Sequence, residues 1–247
     1  MEINWLAAFA DVPEPQVDTA LRFWSAVTAS SPREAAGDRD QYLPLAGDAE
    51  DPYLWVQRVQ RPEQESGWHP DLYVPDPVSA ARQARDLGAT VVREVPNLTV
   101  LSSPAGQPFC FMRHDQEQRR ARPRRWPTGQ HSLLDQICLD IPADAFDAEC
   151  GFWAELTGWP QGRTSAEFVN LVRPAAVPLR ILLQRLGTDD PGPARAHVDL
   201  SCDDRPVEVR RQVELGAVQV TAAEHWTTLR DPTGLVYCVT DRLPFAD

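Results

Sequence analysis

The chain has 247 residues, 43% of them hydrophobic, enough to build packed cores and to exclude a disordered polymer. A formal net charge of −12 argues against a nucleic-acid partner, because phosphate contacts need a basic face. No run approaches the roughly 18 apolar residues of a membrane span, and the opening MEINWLAAFADVPEPQ lacks the basic region of a signal peptide, so a cytoplasmic protein is expected.

From the N-terminus, INWLAAFADV reads as an apolar strand. QVDTALRFWSAVTA follows as a helix with Val17, Ala20, Leu21, Trp24 and Val27 on one face. YLWVQRV and HPDLYV are strands rich in aromatic and β-branched residues. PVSAARQARDLGA is a helix that ends at Gly88. ATVVREV, LTVLSS and QPFCFM are strands, the last two joined by the turn SPAG. An arginine-rich, proline-broken stretch from His114 to Gln130 then reads as a solvated connector, and the obvious acidic surface for it to touch is the protein's own. Beyond it the order recurs: LDQICLDI, AFDAECGFWAELTG, LRILLQRL, AHVDLSC, PVEVRRQVELGA, VQVTA, WTTLRD and LVYCVT.

The recurrence is a tandem duplication. Asp11-Val12-Pro13 matches Asp140-Ile141-Pro142 (140 − 11 = 129), and Phe23-Trp24 matches Phe152-Trp153 at the same offset. Gln57 matches Gln184 (184 − 57 = 127), while His69 and Asp71 match His197 and Asp199 (197 − 69 = 128). SPAGQPFCF matches DPTGLVYCV, aligning Cys110 with Cys238. The predicted organisation is a domain over 1–114, a linker over 115–130 and a second domain over 131–247, each domain made of two βαβββ modules. The five cysteines, Cys110, Cys138, Cys150, Cys202 and Cys238, form no C-x-x-C pair and read as free thiols.

The ordered set RFW, LQR, H-x-D-L, LGA and D-P-x-G-x-x-(F/Y)-C, present twice, resembles the glyoxalase, bleomycin-resistance and dioxygenase proteins, or vicinal oxygen chelate superfamily, in its glyoxalase-like branch. The resemblance implies an α+β fold in which paired βαβββ modules curl a mixed sheet into a cup that binds ligands at its mouth. Metal-dependent relatives supply four ligands per cup. On this sequence His69 and His197 fall on one of those positions, but Cys110 and Cys238 stand where a carboxylate is expected. The first-module strands offer Asn4 and Leu133, or His131 and Asp135 under a two-residue slip, and Gln57 and Gln184 are the polar choices for the fourth place.

That set falls short of a magnesium, manganese or iron site, so no catalytic metal is predicted; a His–Cys zinc site is the lesser alternative. His69 with Asp71, and His197 with Asp199, alternate onto one strand face and could act as base and orienting carboxylate. Pro70 removes a ladder donor from the first copy, which favours His197 and Asp199 if one cup works. Trp55 and Trp226 are candidate walls for a flat ligand, with Gln57, Gln184, Cys110 and Cys238 lining the cup. The sequence thus predicts a glyoxalase-like protein binding a small hydrophobic or aromatic molecule, as a two-domain monomer or a homodimer. The enzymatic alternative is a lyase, isomerase or dioxygenase.

Overall fold

A computed structural model describes the whole chain except residues 61–66, 115–117, 189, 191 and 246–247, and the side chains of 163 and 164. The start of the expected linker, 115–117, therefore lies outside the described residues.

The first half opens with β1 (Trp5–Pro13), which leads through a short 3-10 turn into helix α1 (Val17–Thr28). Val17, Ala20, Phe23, Trp24 and Val27 are its buried side, at the helical spacing the sequence sets. Strands β2 (Ser31–Pro32), β3 (Tyr42–Ala46), β4 (Leu54–Val59) and β5 (Gly67–Val74) follow. Helix α2 (Pro77–Asp86) starts where the Asp76 carboxylate accepts from the backbone N–H groups of Val78 and Ser79, with proline at its first position. It stops before Gly88, whose φ of +105° lies in the left-handed region. Strands β6 (Thr90–Val95), β7 (Leu98–Ser102) and β8 (Pro108–Arg113) complete the half.

The second half begins with β9 (Arg124–Arg125) and β10 (His131–Ile141), then α3 (Phe146–Thr157). Strands β11 (Gln161–Thr164), β12 (Phe168–Leu171), β13 (Arg180–Arg185) and β14 (Arg195–Cys202) precede α4 (Arg205–Glu214). Strands β15 (Val218–Ala222), β16 (Trp226–Arg230) and β17 (Val236–Thr240) end it.

The strands form two mixed sheets. One has eight strands in the order β2-β3-β4-β1-β5-β8-β7-β6, and the other nine, β11-β12-β13-β10-β14-β17-β16-β15 with β9 on β10. In each, the two strands that open and close the second module run parallel (β5 with β8, β14 with β17), while their outer neighbours pair antiparallel. Neither sheet closes into a barrel, so the α+β architecture of two duplicated halves is observed. The expected βαβββ count is met in each first module only with strands that the sequence did not reveal, β2 and β3 in one half and β11 and β12 in the other. Among the described residues, no helix is long and apolar enough to cross a membrane.

The chain also separates into two compact units that do not follow the halves. The first comprises Met1–Ala8, His69–Gln118 and Ile137–Ala196. In it the α3 residue Glu149 accepts from the Ala105 N–H at 2.9 Å and from the Trp153 indole at 2.9 Å. Phe109 packs edge-on against Phe152 and Trp153. The second comprises Phe9–Trp68, Arg119–Gln136 and His197–Asp247. There the Trp24 indole donates to Asp231 at 2.9 Å, and Arg211 donates to the carbonyls of Ala26 and Val27. The arginine-rich segment is anchored in this unit: the Arg119 and Arg122 N–H groups donate to Asp51 and Glu50, and the Arg124 guanidinium pairs with Glu50 at 2.5 Å. Trp126 lies under Arg211, 3.5 Å from guanidinium carbon to ring centre.

Candidate functional site

Strand alternation places His69 and Asp71 on one face of β5, and both are buried. His69 Nε2 and Asp71 Oδ1 are 3.3 Å apart, yet Oδ1 receives no hydrogen bond. The parallel strand β8 sets Cys110 level with Asp71. Its sulfur, the imidazole nitrogen and the carboxylate oxygen all lie within 4.8 Å of one another. Burial, followed by the Asp71 charge, pushes the Cys110 thiol up to about 12, against a smaller downward pull from the His69 hydrogen bond. This triplet lies wholly within the first compact unit.

The nine-stranded sheet repeats the pair. His197 Nε2 and Asp199 Oδ1 are 3.3 Å apart, both residues are buried, and Asp199 Oδ1 again has no hydrogen bond. The other oxygen of Asp199 accepts from the Gln136 amide at 2.5 Å, which fixes the carboxylate. Cys238 stands level with Asp199 in the parallel ladder, and its sulfur contacts the Thr228 hydroxyl at 3.6 Å.

The remaining residues singled out from the sequence divide by place. Gln184 is a hydrogen-bond neighbour of Cys138, its Oε1 accepting from the thiol at 3.8 Å while its amide donates to Glu167 at 3.0 Å. Trp55 stacks on Phe9 at 5.4 Å with an interplanar angle of 5°, and Gln57 lies on the same strand, level with Tyr42. Trp226 is half-buried on β16, level with Thr240. Asn4 donates to the His114 carbonyl, and the Leu133 carbonyl accepts from Ser201. His131 pairs with Asp203 at 2.8 Å, and Asp135 pairs with Arg242. None of these last four joins a donor triplet among the described residues.

Sequence reasoning treated Asp71 and Asp199 only as partners of their histidines, although the same alternation makes their oxygens donors to anything the imidazole faces. It missed Gln136, which holds Asp199 and which the sequence offered only as a polar residue inside the strand LDQICLDI.

A nitrogen, an oxygen and a sulfur donor held this close can bind a borderline-soft divalent ion. The two unpartnered, buried carboxylate oxygens are the observation that fits such a group, since an unsatisfied buried oxygen is costly.

Comparison with known proteins agrees with the architecture. No curated protein matches the sequence. The Mn(II)-bound glyoxalase from Novosphingobium aromaticivorans superposes with a TM-score of 0.67 at 16% identity, covering 97% of this chain and 82% of that one. A mutant 4-hydroxymandelate synthase from Streptomyces coelicolor gives 0.64 at 14% identity, over 100% and 94%. The 2,2',3-trihydroxybiphenyl 1,2-dioxygenase of Sphingomonas wittichii gives 0.62 at 10% identity, over 97% and 89%. These likenesses speak to fold. Residues 7–112 and 136–240 each match the glyoxalase-like domain, and the chain belongs to that family.

Proposed function

We propose that the chain binds a small, oxygen-bearing molecule at its His69–Asp71–Cys110 triplet, and that a zinc-type divalent ion completes the site. The observation that carries this reading is Asp71 Oδ1: buried, facing the His69 imidazole at 3.3 Å without a hydrogen bond, with the Cys110 sulfur close by. This departs from the metal-free expectation because Asp71 adds the anionic oxygen that the earlier ligand count lacked.

His69, Asp71 and Cys110, all within the first compact unit, would hold the ion. When bound, such an ion supplies a Lewis acid that polarises substrate oxygens. The protein's own part is burial and orientation. Each strand face fixes the imidazole and carboxylate two residues apart, and the Gln136 amide holds one oxygen of Asp199 so that the other stays turned to His197. A redox-inert ion of this kind suits isomerisation, addition or elimination beside a carbonyl. That proteins of this fold include a Mn(II)-bound glyoxalase supports a metal-assisted reading over a purely structural one.

A metal-free binder is the second reading: with no ion bound, burial holds the Cys110 thiol up at about 12, so an ion must displace its proton to bind there. Metal analysis of the purified full chain separates the readings. We expect about one zinc ion per chain retained after dialysis. After cobalt exchange we expect thiolate-to-cobalt absorption that vanishes in Cys110→Ser. A wild-type protein that takes up neither zinc nor cobalt leaves the metal-free binder.

A further inference from the structure

The duplication places two crevices at corresponding points, and they differ in what fills them. In the second compact unit the crevice lies beside the end of α1, lined by Thr28, Ser30, Gly47, Glu50 and Leu134. The segment holding Ala121, Arg122 and Arg124 fills it and leaves about 20 Å³. Gly47 admits that segment, since a Cβ there would collide with the Arg124 guanidinium. Glu50 anchors it by accepting from the Arg122 N–H and the Arg124 side chain.

The counterparts of these positions in the first unit follow from the duplication. Thr28 and Ser30 become Thr157 and Trp159, Gly47 and Glu50 become Pro174 and Val177, and Leu134 becomes Trp5. All five line one cavity of about 760 Å³, within the range of small-molecule sites. The anchor Glu50 has thus been replaced by valine, and the small Ser30 by an indole. At the position of Glu50 this wall offers an apolar ring a surface and an arginine-bearing peptide no carboxylate, Glu2 being the acid that lines the cavity elsewhere. A polar feature remains: Gln118 lines the cavity, and its Oε1 is buried with no hydrogen-bond partner among the described residues. A buried carbonyl of this kind is satisfied by a ligand that brings a donor.

We infer that this cavity is a second binding site, distinct from the His69–Asp71–Cys110 triplet, for a flat apolar molecule carrying one hydroxyl or N–H donor. The ring lies against Trp5, Trp159 and Val177, and the donor reaches Gln118 Oε1. The two crevices of the duplicated fold have diverged in occupant: one takes the chain's own arginine segment and the other a small molecule.

Titration calorimetry of the full chain with 2-naphthol, and with 2-methoxynaphthalene as the probe lacking a donor, tests the assignment. We expect saturable binding of 2-naphthol and binding at least about fivefold weaker for the methyl ether, the size of one hydrogen bond. Gln118→Leu should abolish that discrimination. Ala176 is exposed on the cavity wall, so Ala176→Trp should fill the site and remove binding while leaving the circular dichroism spectrum unchanged. His69→Ala/His197→Ala should bind 2-naphthol as the wild type does, which separates this site from the proposed metal site. Absence of saturable binding, equal affinity for the two probes, or wild-type binding by Ala176→Trp would overturn the inference.

Discussion

Glu208 is a fully buried carboxylate in a helix, and four donors meet it. Arg211 lies one turn on at 2.5 Å, Gln212 at 2.7 Å, Gln130 at 3.0 Å and the Ser132 hydroxyl at 3.1 Å. Burial opposes ionisation, but the Arg211 guanidinium and the amides outweigh it and hold Glu208 below the ordinary glutamate range. A carboxylate whose folded pKa is depressed contributes stability above its unfolded pKa of about 4.3, and that stability is lost as pH falls through the folded value. Glu208→Gln should therefore lower unfolding free energy by about 3 kcal/mol in urea titrations near neutral pH. The gap to wild type should narrow below about pH 4. The thiols show how far single residues are legible. Cys110 and Cys238 hold equal positions in the repeat, yet Cys110 joins its histidine–aspartate pair while Cys238 contacts Thr228. Repeat position fixes the strand and the face, whereas whether the sulfur closes on the imidazole depends on neighbours distant in sequence.

At the level of elements, the first helix of each half carries, past its middle, a tryptophan that serves a carboxylate. Trp24 donates to Asp231, and Trp153 to Glu149. Asp231 also accepts from the Thr233 and Leu235 N–H groups in the turn before β17, and burial raises its pKa. Trp24→Phe and Trp153→Phe each remove one donor from a buried oxygen, so each should cost about 1–3 kcal/mol, measured by denaturant midpoint. The helices and the long strands were legible because their burial has a clear period: α1 at three and four residues, β5 and β14 in H-x-D. β3 and β12 were not. YLPLA carries Pro44, which weakens a strand signal, and FVNL is four residues long, too short for alternation to stand out.

On the scale of the whole molecule, the fold was readable because it is written twice, and six ordered landmarks at nearly constant offset carry more information than any one motif. Which segments pack together was not readable. Periodicity reports that a helix face is buried and says nothing of its partner. Strands through Arg113 belong to one sheet and those from Arg124 to the other, but each compact unit draws on both halves. A fragment of residues 1–114 should accordingly lack a cooperative thermal transition, because Phe9–Trp68 is separated from His197–Asp247. A sigmoidal melt of that fragment by circular dichroism would show the first half to be self-sufficient. The same division bears on biosynthesis. The second unit needs both Phe9–Trp68 and His197–Asp247, so during translation its early hydrophobic surface, Trp24 included, must wait unsheltered until more than a hundred further residues have been made. Chaperone dependence in the cell should follow from that delay more than from the net stability of the finished protein.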